Sequence, residues 1–319
     1  MTPDLTGRTV AVDLGGTTVR AALVDEHGSV TGRLKEPVRH GAVHEQVAEL
    51  MTRAAAGTDA TAAVVGVPGR VDHAEGRLHM ARNLPSADLG RLSAAHLSEA
   101  TGLAVQLAGD AELAAVGEAY FGSGSTVGTT AYLTLSTGVG AAVVCEGRLL
   151  SGRVSGFQIG FLHLLGAGRP MIDALGSGQR VHEAELELGQ DADHRVLSEL
   201  SLDNGAEPET RRARDVASGA LADIADAAVA AATLLCHVAS PDVLVVGGGL
   251  ARAAGRPFLD LLDRRLHAIN TSHVSWHVDV RPAFCGDDAG LVGAAAWHLA
   301  APLTGTATPA RLSLRGETR

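Results

Sequence analysis

Cysteine and runs of basic residues are scarce in this sequence. The three cysteines, Cys145, Cys236 and Cys285, lie far apart in a chain of 319 residues. None belongs to the closely spaced pair that a disulfide framework or a metal-binding knot requires. Acidic residues outnumber basic ones by 36 to 26, and the formal net charge is −10. Because no long Lys/Arg run offsets this charge, the composition disfavours a nucleic-acid-binding surface.

Segments that would direct export or membrane insertion are also lacking. The N-terminus does not contain the apolar core of a signal peptide. Residues 216–238 are the only stretch that resembles a membrane helix, but Asp223, Asp226 and His237 interrupt it and no basic cluster flanks it. We interpret this stretch as a buried helix. We expect a soluble cytoplasmic protein without a membrane partner, in which residues 302–319 form a flexible tail.

Glycine, by contrast, is frequent, with 39 residues. Three glycine-rich loops, at residues 13–18, 134–140 and 245–249, each follow an apolar run. Open α/β sheets bind ligands at the carboxyl ends of their strands, where backbone without side chains lets N–H groups approach phosphate oxygens. The three loops therefore predict a nucleotide held between two lobes. A chain of this length with 46% hydrophobic residues can bury a core in each lobe.

The first loop has the pattern of a hairpin turn. Apolar runs at residues 9–12 and 21–24 flank it, and a turn-like segment follows. This pattern argues against a dinucleotide-binding fold and against a P-loop, in which a Lys-Ser/Thr pair opens a helix. The residues of the loop that suit phosphate binding are Asp13, Gly15, Gly16, Thr17 and Thr18.

Asp13 at the start of this loop suits a Mg²⁺ ion bound through water. Mg²⁺ prefers hard oxygen ligands and keeps much of its hydration shell. Taken alone, the same Asp13 also fits a hairpin in which aspartate is a turn former.

The second loop repeats this arrangement. Residues 131–135 have the pattern of a strand, Thr137 and Gly138 lie in the turn, and residues 140–145 return as another strand. Two similar hairpins in the two halves of the chain indicate duplicated lobes facing each other across a cleft. Such lobes can hold phosphates from both sides and close on a substrate.

These segments resemble the ROK family of sugar kinases and sugar-responsive repressors, within the actin/hexokinase-like ATPase superfamily. The resemblance runs from about residue 9 to residue 299. The matching segments are residues 13–20 and 133–140 (the two phosphate motifs), 66–72 with Gly76 and 83–84 (first substrate loop), 109–118 (catalytic aspartate), 241–249 (adenosine motif) and 288–295 (closing helix).

The resemblance implies a fold and a set of ligands. The expected fold is α/β and two-lobed, of the actin/hexokinase-like (ribonuclease H-like) type, with a cleft between the lobes. The N-terminal lobe would comprise residues 1–118 plus 289–301 and the C-terminal lobe residues 119–288. ATP, Mg²⁺ and a small sugar-like substrate are the implied ligands, and a homodimer is the implied assembly. Repressor members carry a helix-turn-helix before the first phosphate loop; only twelve residues precede Asp13 here, so we expect the kinase branch.

Asp110 occupies the position of the family's catalytic base, which accepts the proton of the attacking hydroxyl. It follows a short strand pattern at residues 105–108 and precedes a helical pattern at residues 111–120, so an N-cap is its alternative role. The nucleotide-binding residues implied by the resemblance are Asp13, Gly15, Gly16, Thr17, Thr18, Thr137, Gly138, Gly247, Gly248 and Gly249. The implied substrate-binding positions are Gly69, Arg70, Asn83, Gly109, Gln158, Phe161 and Asp173.

Several of these substrate positions depart from the family pattern. Gly109 replaces an Asn that helps to bind sugar hydroxyls, and Gln158 and Phe161 replace a Glu and a His around the anomeric end. Asp173 stands where the family has a sugar-binding Glu, one methylene longer.

The family's zinc knot is also missing. That knot comprises the His replaced by Phe161 and three cysteines, whereas no cysteine lies between Cys145 and Cys236. Structural zinc needs four nitrogen or sulfur ligands, and His163 and His182 are too few. We therefore expect no structural zinc.

The altered pocket leaves two hypotheses for function. Each lost hydrogen-bonding group costs an ordinary hexose about 1–3 kcal/mol, so ordinary glucokinase activity is not expected. In the first hypothesis the protein is an active kinase for an atypical acceptor: an amino or deoxy sugar, a cyclitol or a sugar-bearing natural product, with Phe161 against an apolar face. In the second it is a weak or inactive pseudokinase that senses nucleotide or sugar. Intact Asp13, Asp110 and glycine loops favour the first.

Overall fold

The computed structural model describes residues 7–81, 84, 90–125, 127–163, 170–203, 205, 207–269 and 276–300. Asn83 and the predicted tail at 302–319 lie outside these ranges.

The first half of the chain builds a five-stranded mixed sheet in the order β3-β2-β1-β4-β7. Its strands are β1 (Thr9–Leu14), β2 (Thr18–Val24), β3 (Val30–Pro37), β4 (Ala62–Val67) and β7 (Ala104–Gly109), and β5 (Arg70–Asp72) pairs with β6 (Arg77–Met80) in a separate hairpin. The helices are α1 (Val43–Ala55), α2 (Ala94–Thr101) and α3 (Asp110–Phe121). Every residue of β4 is apolar or glycine and buried, as expected of a parallel strand covered on both faces.

The second half repeats the topology. Its sheet has the order β10-β9-β8-β11-β12, with three antiparallel strands followed by two parallel ones, as in the first sheet. The strands are β8 (Thr129–Leu135), β9 (Val139–Cys145), β10 (Arg148–Leu149), β11 (Val243–Gly247) and β12 (Asp279–Pro282). The helices are α4 (Ile172–Gly176), α5 (Gly178–Leu188), α6 (His194–Leu202), α7 (Pro208–Ala239), α8 (Gly249–Ile269) and α9 (Ala289–Ala300), with 3-10 turns at Ile159–Phe161 and Gly286–Asp288.

Helices α3 and α9 lie between the two sheets and form the central core. A Cβ atom on Gly293 would lie 1.9 Å from the carbonyl oxygen of Leu113, and one on Gly117 would lie 2.6 Å from that of Ala289. The two helices therefore contact backbone to backbone, which only glycine permits. Their cluster of buried side chains includes Ala11 and Val64 of the first sheet and Tyr132 and Val245 of the second. This packing brings the first turns of both helices to the space between the sheets.

The predicted fold class and both predicted hairpins are confirmed. β1 pairs with β2, and β8 pairs with β9, in antiparallel register. The predicted lobe boundary at residue 118 falls inside α3, which contacts strands of both sheets, and the boundaries stay a prediction.

The alanine-rich stretch at 216–238 lies within α7. Among the described helices, α7 is the one long and apolar enough to cross a membrane, and half of its most apolar window is buried inside the protein. Ala220, Ala227 and Ala231 on one face are fully buried in the core beneath the second sheet. The helix therefore packs as a core element along one side.

Candidate active site

A cleft of about 1040 Å³ lies between the two sheets. It is bounded by the ends of β1, β8 and β11, the start of α3 and the start of α9. The predicted residues among its lining are Asp13, Gly15, Gly16, Thr17, Thr18, Gly69, Asp110, Thr137, Gly138, Gln158, Phe161, Asp173, Gly247, Gly248 and Gly249. Tertiary structure thus brings all three glycine loops to one space, together with Asp110.

The first loop is a tight hairpin turn that holds Asp13 at the wall of the cleft. The N–H of Gly15 donates to the carbonyl oxygen of Thr18 over 2.8 Å and closes the turn. Asp13 lies opposite Arg20 in the register of β1 and β2, and the Arg20 guanidinium pairs with its carboxylate. On its other side, the carboxylate carbon lies 3.3 Å from where a Cβ of Gly290 would be. Because Gly290 has no side chain, the first turn of α9 leaves space for the Asp13 carboxylate.

The second and third loops are packed on each other. The N–H of Ser136 donates to the carbonyl oxygen of Gly138 over 2.9 Å and closes the second turn. Gly248 has φ +92°, and a Cβ there would lie 2.2 Å from the carbonyl oxygen of Leu135. Gly249 begins α8, and a Cβ there would have only the Ser136 hydroxyl within 4 Å, at 3.9 Å. Gly248 is thus required by the fold, whereas Gly249 leaves backbone open toward the cleft.

Asp110 is the first residue of α3, directly after β7. The N–H of Ala111 donates to its Oδ1 over 2.7 Å. Desolvation by the cleft walls, reinforced by the negative charges of Asp13 and Glu112, raises the pKa of Asp110 to about 7. The side chain is exposed to the open cleft, so desolvation acts fully on this pKa only when a ligand displaces the water. A carboxylate with a pKa near 7 is suited to act as a general base.

Gln158 and Phe161 lie where the chain enters the cleft from the second sheet. Both line the cleft, Phe161 within the 3-10 turn, and the Gln158 amide donates to the carbonyl oxygen of Gly156 over 3.2 Å. The preceding residue, Phe157, has φ +48°, a left-handed conformation that is costly for a bulky side chain. This segment thus carries local strain at the edge of the cleft.

The other predicted acceptor residues are held by the fold itself. The carboxylate of Asp173 accepts a hydrogen bond from the N–H of Val139 over 2.7 Å, which ties α4 to the second phosphate turn. Gly69 has φ +119°, and a Cβ there would lie 2.0 Å from the carbonyl oxygen of Met80. Arg70 does not line the cleft, and its Nε donates to the carbonyl oxygen of Ser155 over 3.2 Å. Asn83 lies outside the described residues.

Sequence reasoning missed several polar residues of the lining. They include Arg20, Lys35, Gln179, His182, Arg252 and Arg256. Arg20 carried a usable signal, since hairpin pairing across a short turn places it opposite Asp13. The remaining side chains reach the cleft from β3, α5 and α8 through tertiary packing, which leaves no local pattern.

The cleft fits a Mg²⁺–nucleotide better than a metal bound by protein alone. No group of three or more His, Cys, Asp or Glu residues that could hold a metal occurs within the described ranges. Mg²⁺ in nucleotide sites needs only one or two carboxylates, with water and phosphate supplying the other ligands, and Asp13 suits that role. The absence of structural zinc stays a prediction, because residues 164–169 of the altered knot lie outside the described ranges.

Comparison with known proteins identifies the family. The model of the ROK family matches residues 9–166. A glucokinase from Pyrobaculum calidifontis is 31% identical over 306 residues, which are 92% of this chain and 96% of that protein. The chain belongs to the ROK family.

Other proteins match over similar lengths. An N-acetylmannosamine kinase from Escherichia fergusonii is 29% identical over 301 residues, 90% of this chain and 97% of that protein. The crystal structure of a ROK family glucokinase from Streptomyces griseus, in complex with glucose and AMPPNP, superposes with a TM-score of 0.75 at 25% identity, covering 91% of this chain and 98% of that one. The predicted family and its two-lobed hexokinase-like fold are thereby confirmed for this ROK chain.

Proposed function

We propose that this protein is an ATP-dependent kinase that transfers the γ-phosphate to a primary hydroxyl of a sugar-like acceptor. The observation that carries the proposal is the position of Asp110, at the start of a helix and in one cleft with three glycine loops. The similar proteins named glucokinase and N-acetylmannosamine kinase support a sugar as the acceptor. Asp13, which also lines this cleft, is the residue proposed to hold Mg²⁺ through water.

In the proposed reaction, ionised Asp110 takes the proton of the acceptor hydroxyl as its oxygen bonds to the γ-phosphorus. The bond from that phosphorus to the bridging oxygen breaks, and ADP leaves with the electron pair. Backbone N–H groups of the glycine loops orient the phosphates and stabilise their charge. Mg²⁺, when bound with the nucleotide, supplies further neutralisation of phosphate charge.

We propose that the acceptor differs from glucose. The cleft lining includes a neutral amide at Gln158 and an apolar ring at Phe161, whereas Gly109 is buried beside Asp110 and does not line the cleft. An amide cannot offer two adjacent hydroxyls the charge of a carboxylate, and a phenyl ring offers packing alone. An amino or deoxy sugar, a cyclitol or a sugar-bearing natural product suits such a lining better.

The second candidate is a pseudokinase that binds nucleotide and sugar without efficient turnover. The observation that favours it is the ion pair between Asp13 and Arg20. A guanidinium bound to this carboxylate competes with a cation for the same oxygens. Cytoplasmic location, a homodimer and the absence of nucleic-acid or membrane partners stay predictions under either candidate.

A phosphoryl-transfer screen decides between the two. The protein is incubated with Mg²⁺–ATP and a panel of hexoses, amino sugars, deoxy sugars and cyclitols, and ADP formation is measured for each. Turnover of one acceptor well above glucose supports the atypical kinase. Silence across the panel, with nucleotide still raising the melting temperature, supports the pseudokinase, and efficient turnover of glucose would contradict the proposed acceptor.

A further inference from the structure

A buried carboxylate that the proposed mechanism does not use lies two residues after Asp110. The side chain of Glu112 is 6% exposed, at the third position of α3. Its Oε2 accepts a hydrogen bond from the N–H of Gly109 over 2.8 Å. This contact is the glutamate half of a capping box, and it closes the turn that presents Asp110 to the cleft.

Glu112 also contacts the segment that leads to the acceptor side of the cleft. The hydroxyl of Ser155 donates to Oε2 over 3.1 Å, and the hydroxyl of Ser151 donates to Oε1 over 3.2 Å. Residues 151–155 continue within three residues to Gln158, whose side chain lines the cleft. One carboxylate thus holds both the turn of the proposed base and the segment that carries an acceptor-side residue.

A fourth contact joins Glu112 to the β5–β6 hairpin. Nε2 of His73 lies 3.3 Å from Oε1, and its ring, in a side chain only 4% exposed, lies beside Trp297. Residues 71–73 pair with residues 153–155 through their backbones. The N–H of Ser155 donates to the carbonyl oxygen of Val71 over 2.9 Å, and the N–H of His73 donates to the carbonyl oxygen of Arg153 over 2.8 Å. These hydrogen bonds join the β5–β6 hairpin to the segment that leads to Gln158 in the cleft lining.

Gly109 lies directly against this carboxylate. A Cβ on Gly109 would lie 3.1 Å from Glu112 Oε2 and 3.4 Å from its Cδ. A side chain at position 109 would require the Glu112 carboxylate to shift by a few tenths of an ångström. The departure of Gly109 from the family pattern and the buried Glu112 are thus sterically linked.

We propose that Glu112 is a positioning residue, which couples the segment 151–158 on the acceptor side to the turn that bears Asp110. This inference rests on the proposed function, in which Asp110 is the base. A buried carboxylate with four hydrogen-bonding groups around it resists displacement, because breaking one contact leaves polar groups without water. Coupling of this kind matters because a misplacement of about 1 Å at a reacting group reduces turnover by about 10²-fold.

The charge of Glu112 provides a readout that a purely structural role would not move. Its negative charge contributes to raising the pKa of Asp110. The other charged groups nearby are Asp13 with its partner Arg20, and, around Glu112, His73 and the Asp72–Arg153 ion pair at 3.1 Å. Glu112→Gln keeps the shape of the side chain but removes this charge, so it should lower the pKa of Asp110.

The test compares Glu112→Gln with Ser155→Ala, which removes one contact without a charge change, and with Glu99→Gln, an exposed acid on α2 as the matched control. Phosphorylation of glucose and of N-acetylmannosamine is measured against pH, and hydrogen exchange is measured for residues 109–113 and 151–158. We expect Glu112→Gln to reduce kcat by about 10- to 100-fold while KM for ATP stays unchanged, and to shift the acidic limb of the pH profile to lower pH. Ser155→Ala should reduce kcat less and leave that limb in place.

Hydrogen exchange separates this inference from the proposed function. We expect exchange to rise in both segments for Glu112→Gln and in neither for Glu99→Gln, whether or not either sugar is phosphorylated. Wild-type exchange of residues 151–158 in Glu112→Gln would overturn the coupling, as would unchanged kcat and pH profile where turnover is measurable. If Asp110→Asn keeps full turnover while exchange still responds to Glu112→Gln, the base assignment fails and the coupling of the two segments survives.

Discussion

Gly248 lies against Leu135 so closely that a Cβ atom at position 248 would be 2.2 Å from the carbonyl oxygen of Leu135. The neighbouring Gly249 faces the cleft, with only the Ser136 hydroxyl, at 3.9 Å, near its absent side chain. Gly248 and Gly249 therefore have different roles, although they are adjacent in one loop. The first permits two loops to pack, and the second leaves room for a ligand to approach backbone.

This difference predicts opposite effects for two substitutions. Gly249→Val should keep the melting temperature of the free protein and abolish the rise in melting temperature caused by Mg²⁺–ATP. Gly248→Ala should lower the melting temperature of the free protein itself, because φ +92° and the collision with Leu135 both oppose a side chain. Calorimetry with and without nucleotide distinguishes them. Full nucleotide stabilisation of Gly249→Val would mean that the nucleotide binds elsewhere.

Asp110→Asn is expected to reduce turnover by at least about 10²-fold, the usual contribution of a general base. Fold and nucleotide binding should persist, because the amide can keep the contact to the N–H of Ala111. The measurement is single-turnover phosphoryl transfer, with nucleotide-dependent melting as the control. An Asp110→Asn enzyme of wild-type activity would remove Asp110 from the mechanism.

The raised pKa of Asp110 predicts the pH dependence of both activity and stability. A base must be ionised, so kcat, which reports the pKa of the ligand-bound enzyme, should rise with pH and level off above about 7. Because the folded-state pKa lies above the ordinary 3.8, the folded protein binds more protons than the unfolded chain between these values. The contribution of Asp110 to the stability of the folded protein therefore falls as the pH rises from about 4 toward the raised folded-state pKa. Relative to wild type, Asp110→Asn should gain melting temperature on going from pH 5 to pH 8, and a constant difference would contradict the shift.

The acceptor pocket can be tested by restoring the family's residues. Gln158→Glu with Phe161→His should raise activity on glucose relative to the native acceptor, since both changes add groups that bind hydroxyls. Adding Gly109→Asn should raise activity on glucose further only if the Glu112 side chain moves, because a Cβ atom at position 109 would lie 3.1 Å from its Oε2. We expect the triple variant to be less stable than the double variant. Wild-type protein that phosphorylates glucose as efficiently as an ordinary sugar kinase would refute this view of the pocket.

Metal analysis tests the expected loss of the zinc knot. Protein purified without an affinity tag should contain far less than one zinc per chain, because His163 and His182 are too few for four nitrogen or sulfur ligands. Incubation with a chelator should leave the melting temperature unchanged. Stoichiometric zinc that survives dialysis would show that other side chains have rebuilt the site.

Much of this protein follows from local pattern. The hairpins around Asp13 and Gly138 were predictable because a tight turn between two apolar runs determines which residues pair. The glycine loops and the strand-to-helix junction at Asp110 were predictable for the same reason. Each depends on neighbours along the chain, and the order of these segments was enough to indicate the family and the two-lobed α/β fold.

Other features depend on contacts between distant segments, which no local pattern encodes. Arg70, expected in the substrate pocket, instead donates to Ser155, 85 residues away, and Asp173 binds the N–H of Val139 across 34 residues. Glu112 meets Ser151 and His73, each 39 residues away in opposite directions. Such pairings arise when two separately built sheets close on α3 and α9. The partner of a side chain in this region depends on how the sheets and helices pack. The local sequence shows which residue type is present but not which distant residue it contacts.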